Sequence, residues 1–191
     1  MNDQQFKRLI EAADFFNKTL RQLVMTERGI HAETIIASAA RMSGTMLFRS
    51  FVPPGSNFEP GTAVLSDQAN VGGPKLMNLM FSTLKQLGHI VGEDTINRDY
   101  LTTQSSQLTL RQTQERLDSF IIAYCKAASL SFEEAAFALA TAAGILVHDC
   151  RSALDVQQGA AIAVYGLIEG SKTAPIVAVF SGVEKTAARN A

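Results

Sequence analysis

Charge is scarce in this chain. Asp, Glu, Lys and Arg make up 18% of it, against about 25% in an ordinary globular protein. The 17 basic and 18 acidic residues nearly cancel, leaving a net charge of −1. They alternate in sign along the expected helix faces, which is the pattern of a solvated surface. Nucleic-acid binders draw most of their affinity from a basic stripe set against phosphates. No such run is present, and no nucleic-acid partner is expected.

Cysteine is almost as rare. Cys125 lies near the end of one predicted helix and Cys150 at the far end of the next. In an antiparallel hairpin a rise of about 1.5 Å per residue separates them by far more than a disulfide spans. Both read as reduced thiols, which fits a reducing compartment. Long apolar runs are missing too. The longest, residues 135–147, and the shorter 159–168 fall well below the ~20 residues a membrane-crossing helix needs. The first residues, Met1-Asn2-Asp3-Gln4-Gln5, carry no basic stretch followed by an apolar one. The expectation is a soluble cytoplasmic protein with no membrane partner.

Common catalytic signatures are absent as well. There is no phosphate-binding P-loop, dinucleotide glycine fingerprint, nucleophile elbow, H-E-x-x-H, C-x-x-C or calcium-binding loop, so no cofactor is expected. A metal site needs two or three converging ligands. His31 and Glu33 diverge if both are helical, and His148, Asp149 and Cys150 fan out by about 100° per residue on a helix. No metal is expected, and His148 is read as a cap on the carbonyls that end its helix. Cys125 sits in an apolar stripe and is read as an inert core thiol. Cys150 is also read as structural.

What the chain has is apolar bulk. Hydrophobic residues make up 47% and mean hydropathy is +0.09. Either some helices are buried all round, or a second copy covers part of the surface. At 191 residues the chain fits one domain.

The apolar periodicity predicts helices throughout. The first runs over 4–26, with Phe6, Leu9, Ala13, Phe16 and Leu20 on one face and Gly29 as its stop. The second, 31–51, is small and apolar nearly all round and is expected to be central. Pro53-Pro54-Gly55, Pro60-Gly61 and Gly72-Gly73 mark 52–73 as a long loop, in which Thr62 to Leu65 lies extended. The third helix is expected to start at Pro74, a favoured first position, and to end at Gly92. Thr109 with Gln112 and Ser131 with Glu134 are capping boxes that open two more helices, and the alanine-rich 131–151 is the second central one. Ser152 with Asp155 opens a helix ending near Gly170. Ile176 to Phe180 could form a strand, but a helix over 175–188 is preferred.

The fold class is therefore all-α: a compact bundle of six or seven helices with a long ordered loop between the second and third. Two functional readings follow. In the first, the chain is a non-enzymatic interaction or regulatory homodimer. The apolar excess and the helix-interior glycines Gly44, Gly144, Gly159 and Gly166 support it, since such glycines let helices approach closely. In the second, it binds a small polar or anionic ligand, or acts on one, between the second helix and the 52–73 loop. Arg41 and Arg49 project from an otherwise apolar helix, and each needs an anion or several carbonyls. Asp67, Glu59 or Glu33 could supply a carboxylate, and Ser66, Asp67 and Asn70 form a polar island in the loop. The candidate ligand-binding residues are therefore Arg41, Arg49, Ser66, Asp67 and Asn70.

Overall fold

A computed structural model describes residues 3–53, 56–102 and 104–176. It contains six α-helices: α1 Asp3–Val24, α2 Ala32–Phe51, α3 Asp67–Gln86, α4 Leu110–Ala127, α5 Phe132–Asp149 and α6 Val156–Ser171. A single 3-10 turn, Arg98–Tyr100, interrupts the connection from α3 to α4. Among the described residues there is no strand. The expected helix over 175–188 lies outside the described residues beyond Ile176, and Pro175 and Ile176 are not helical.

The helix starts follow side-chain chemistry. Both capping boxes form: Thr109 accepts from the Gln112 amide and Ser131 from that of Glu134, while each box's own Gln or Glu side chain accepts from the cap backbone. Two expected starts move. The cap of α6 is Asp155, whose carboxylate accepts from the amides of Gln157 and Gln158. An ionised cap gains from the helix dipole what Ser152 cannot. The larger shift is in α3, which begins at Asp67 rather than Pro74. Ser66 is its cap and accepts from the Ala69 amide at 3.1 Å, so a favourable first-turn residue, Asp67, outweighs the proline signal. Pro74 then lies inside the helix. Residues 67–73 are thus helix, and the true loop is 52–66.

Backbone hydrogen bonds hold the later part of that loop. Thr62–Val64 runs extended against the residues that follow α6: Ala63 bridges Thr173 antiparallel, Val64 N–H donates to Lys172 O at 2.7 Å, and Ala174 N–H donates to Thr62 O at 2.9 Å. Phe48, Val52 and Ala174 form a small cluster beneath it with Phe51, Phe58 and Val64.

α2 is the central element, as its composition predicts. Every residue from Thr34 to Arg49 is buried. α5 packs on one side of it and α6 on another, and one continuous core draws residues from all six helices. The crossing of α2 and α6 is the tightest. A Cβ on Gly44 would stand 2.3 Å from Leu167 O, and one on Gly170 would stand 2.1 Å from Arg41 O. Only glycine lets these backbones touch. Gly166 likewise faces Ala40, Gly144 faces Met80 and Thr83 of α3, and Gly159 faces Val147. The interior glycines therefore serve contacts within the chain, and they no longer argue for a seam between two copies.

Candidate functional site

The two arginines on α2 are where charge enters the core. Arg41 is 3% exposed. Its Nε donates to Glu169 Oε2 on α6 at 2.7 Å, and its Nη1 donates to Leu108 O and to Ser106 Oγ at 3.3 Å. Two turns on, Arg49 is fully buried and donates to Asp118 of α4. The side chain of Gln114, one turn before Asp118, donates to Thr45 Oγ1 on α2 at 3.2 Å. The carboxylates are thus Glu169 and Asp118, not the Asp67, Glu59 or Glu33 expected from sequence. A planar guanidinium can bridge helices distant in sequence, and neither partner lies in a motif that would flag it.

Burial dominates the electrostatics of the second pair. It pushes the Asp118 carboxyl up and the Arg49 guanidinium down, while each charge opposes the other's shift. Since arginine does not lose its proton in proteins, any protonation change of the pair falls on Asp118, whose Oδ1 accepts no hydrogen bond.

The other expected ligand residues lie elsewhere. Ser66 is occupied as the cap of α3, and Asp67 and Asn70 are exposed on its first turn. A cleft of about 400 Å³ does open between the end of α2 and the start of α3. Ser50, Phe51, Asp67, Gln68, Lys75 and Glu133 are among its walls, but Arg41 and Arg49 are not. Asp67 is therefore the one expected residue that borders it, and the two arginines face away into their own ion pairs.

The histidines are arranged differently from the sequence reading. His31 caps α2 rather than lying on it, so its ring can turn to Thr34 Oγ1 at 2.9 Å and to Glu33 Oε2 at 3.3 Å. His148 does not spend its ring on the carbonyls at the end of α5. Its Nδ1 lies 2.8 Å from Nε2 of His89, which follows α3. Their separation of 59 positions hid this pair from any local pattern. Among the described residues no three His, Cys, Asp or Glu side chains converge to hold a metal. Burial pushes the Cys125 thiol up to about 12 and raises that of Cys150 as well, so neither is an activated nucleophile.

The last feature is apolar. A groove of about 430 Å³ runs between α1, α3 and α5. Leu79, Phe137 and Ile145 are in its lining, and Phe6, Ile10 and Leu87 stand at its edge, 52%, 44% and 37% exposed. The polar side chains Ser82, Thr83, Gln86 and Thr141 also line it, but Thr83 and Thr141 donate back to Leu79 O and Phe137 O in their own helices.

No family model, curated protein or solved structure matches the chain. No single helix among the described residues is long and apolar enough to cross a membrane.

Proposed function

We propose that the chain is a non-enzymatic interaction protein that works as a homodimer, with the α1/α3/α5 groove as its contact face. The observation that carries this reading is the pairing of ridge and groove on one surface. Phe6 and Ile10 project from α1 beside the hollow lined by Leu79, Phe137 and Ile145. In a two-fold contact each residue meets its counterpart's neighbour. The α1 ridge of either copy can then enter the hollow of the other, so that one contact buries both. The apolar excess supports the same reading, because large side chains that the chain's own core leaves exposed gather at this groove, Phe6, Ile10 and Leu87 among them. Arg41 and Arg49, the strongest candidates for ligand anchors, are engaged with Glu169 and Asp118.

Light scattering and sedimentation at micromolar concentration test this reading. The expected mass is twice that of the chain, falling to one chain when Phe6→Asp and Ile10→Asp are combined. A wild-type monomer at that concentration overturns it, as does a dimer the double variant leaves intact.

A second reading rests on the 400 Å³ cleft at the start of α3. It is a binding site, or an active site, for a small polar ligand. With both arginines engaged elsewhere, its charges are Lys75, Asp67 and Glu133, which suits a ligand carrying both signs better than a simple anion. Binding of a zwitterionic amino acid, measured by calorimetry and abolished by Lys75→Ala, is the expected result. No heat with any such compound would remove this reading.

A further inference from the structure

The connection from α3 to α4 crosses the end of α5, and its hold there is unusual. Gly88 N–H donates to Lys85 O and His89 N–H to Leu84 O, both back to the end of α3. Thr95 and Ile96 N–H donate to Gly92 O, and Gly92 N–H donates to Thr95 Oγ1. Among the described residues, the bond from His89 to His148 alone ties 88–97 through a polar group to a part of the chain beyond its immediate flanks. Val91 and Ile96 add apolar contact with the core, whereas Ile90 is 90% exposed.

The geometry shows what kind of bond it is. The ring centroids stand 5.0 Å apart and the facing nitrogens 2.8 Å. The difference is nearly taken up by the two ring radii, so the rings point at each other along one line. An ion shared by both would instead draw the lone pairs toward a point about 2.0–2.1 Å from each, off that line. The arrangement is a straight N–H···N hydrogen bond, in which one imidazole donates and the other accepts.

Such a bond counts protons. A neutral pair carries two N–H protons over four nitrogens, one of them in the bond. A first added proton goes to an outward-facing nitrogen and leaves an ionised donor, which strengthens the bond. A second must go to the accepting nitrogen. Two N–H groups then face each other on two cations, and the bond is lost.

The charged and titratable groups nearby carry both signs. Lys85 of α3 and Glu93 and Asp94 of the connection share His89's cleft. Asp149, Cys150 and Arg151 follow His148, and Arg21 of α1 pairs with Asp149 at 2.6 Å. Glu33 of α2 is close enough to act on Cys150. Neither sign dominates, and among the described residues none of these groups is hydrogen-bonded to either ring.

We propose that the His89–His148 bond is a proton-operated latch, which holds residues 88–97 against the end of α5 and releases them when both imidazoles are protonated. Release frees the edge of the roughly 490 Å³ cleft that Asn78, Phe81, Lys85 and His89 help to line, and it exposes Val91 and Ile96. The sign follows from linkage. The open form takes up one proton more than the latched form, so acid favours opening, by up to about tenfold in population per pH unit.

Amide-exchange protection factors of residues 88–97, measured on the full chain between about pH 7.5 and about pH 5, test the latch. In the wild type they should fall by up to about tenfold per pH unit at the acid end, while those of α2 stay constant. His89→Gln, which can bond without titrating, should keep the segment protected at both ends of the range. His89→Leu, which cannot bond, should leave it unprotected at both. Wild-type protection that does not change with pH overturns the proposal, and so does a pH dependence that survives in either variant.

Discussion

The two sides of α2 are built on opposite principles. Toward α6 and α4 the chain uses close-packed glycines and, among the described residues, its buried charges. Gly44 and Gly170 bring two backbones into contact, Arg41 reaches Glu169 across the same seam, and Arg49 reaches Asp118 beside it. On the far side, where α1 and α3 lie on α5, the chain uses large apolar side chains and leaves Phe6, Ile10 and Leu87 well exposed at the rim of a groove. The first side closes within one copy of the chain, since both arginines there reach carboxylates and each close-packed glycine meets its facing backbone within the molecule. The second has apolar surface left over. A search for function led by rare residues such as arginine and glycine goes to the first side, and the apolar groove is on the second.

The sharpest way to break the contrast is at the buried ion pair. Asp118→Ala leaves the Arg49 cation buried without its carboxylate, and it should cost about 3–5 kcal/mol in denaturant unfolding. Replacing both, Arg49→Met with Asp118→Leu, should recover most of that loss, because an apolar pair of similar volume avoids the desolvation of two charges. A double variant as unstable as the single one would mean the pair contributes more than mutual neutralisation. The pH dependence has a definite sign. Burial holds the Asp118 carboxyl above its ordinary range, so the folded state binds that proton more tightly than the unfolded chain. The associated stability is present in acid and lost as pH rises through the raised value. Asp118→Asn should lack that loss when unfolding midpoints are compared from about pH 4 upward.

The next effect is at the seam. Gly170→Ala would place a methyl group 2.1 Å from the Arg41 carbonyl, and backbone cannot swing aside as a side chain can. The gain in helix propensity, about 1 kcal/mol, is outweighed by forced separation of α2 and α6, and a net loss of about 1–3 kcal/mol is expected. A thermal melt that rises on this substitution would show that the two helices can slide apart without cost.

Much of this architecture is legible in the sequence. The unbroken small and apolar run of α2, the alanines of α5 and the two capping boxes are local patterns, and the helices stand where those patterns put them. Long-range pairings were not legible. Arg41 with Glu169, Arg49 with Asp118 and His89 with His148 join residues 128, 69 and 59 positions apart, and no spacing rule reaches so far. The glycines were legible as close approaches, but the sequence could not say whether the approaching helix belonged to the same chain. The start of α3 was misread because a proline after two glycines is a familiar helix opening, whereas here the Ser66 hydroxyl caps seven residues earlier. Ser66→Ala should therefore cost about 1 kcal/mol, measured by equilibrium unfolding. A change near zero would place Ser66 in a loop and return the helix start to Pro74.

The smallest stability effect should come from the groove, which makes it the most telling comparison. Phe6 and Ile10 are already half exposed, so charging both should alter the stability of a dilute single chain by no more than about 0.5 kcal/mol each. Their weight lies in association. If two copies close over the groove, folding is linked to concentration and the wild-type melting temperature rises with it. Phe6→Asp with Ile10→Asp should flatten that dependence while leaving the dilute melting temperature almost unchanged. The same substitutions would be far costlier at Leu9 or Phe16, on the buried face of α1. An equal loss of dilute stability at Phe6 and at Phe16 would mean that the rim belongs to the chain's own core. The asymmetry between the two sides of α2 would then disappear.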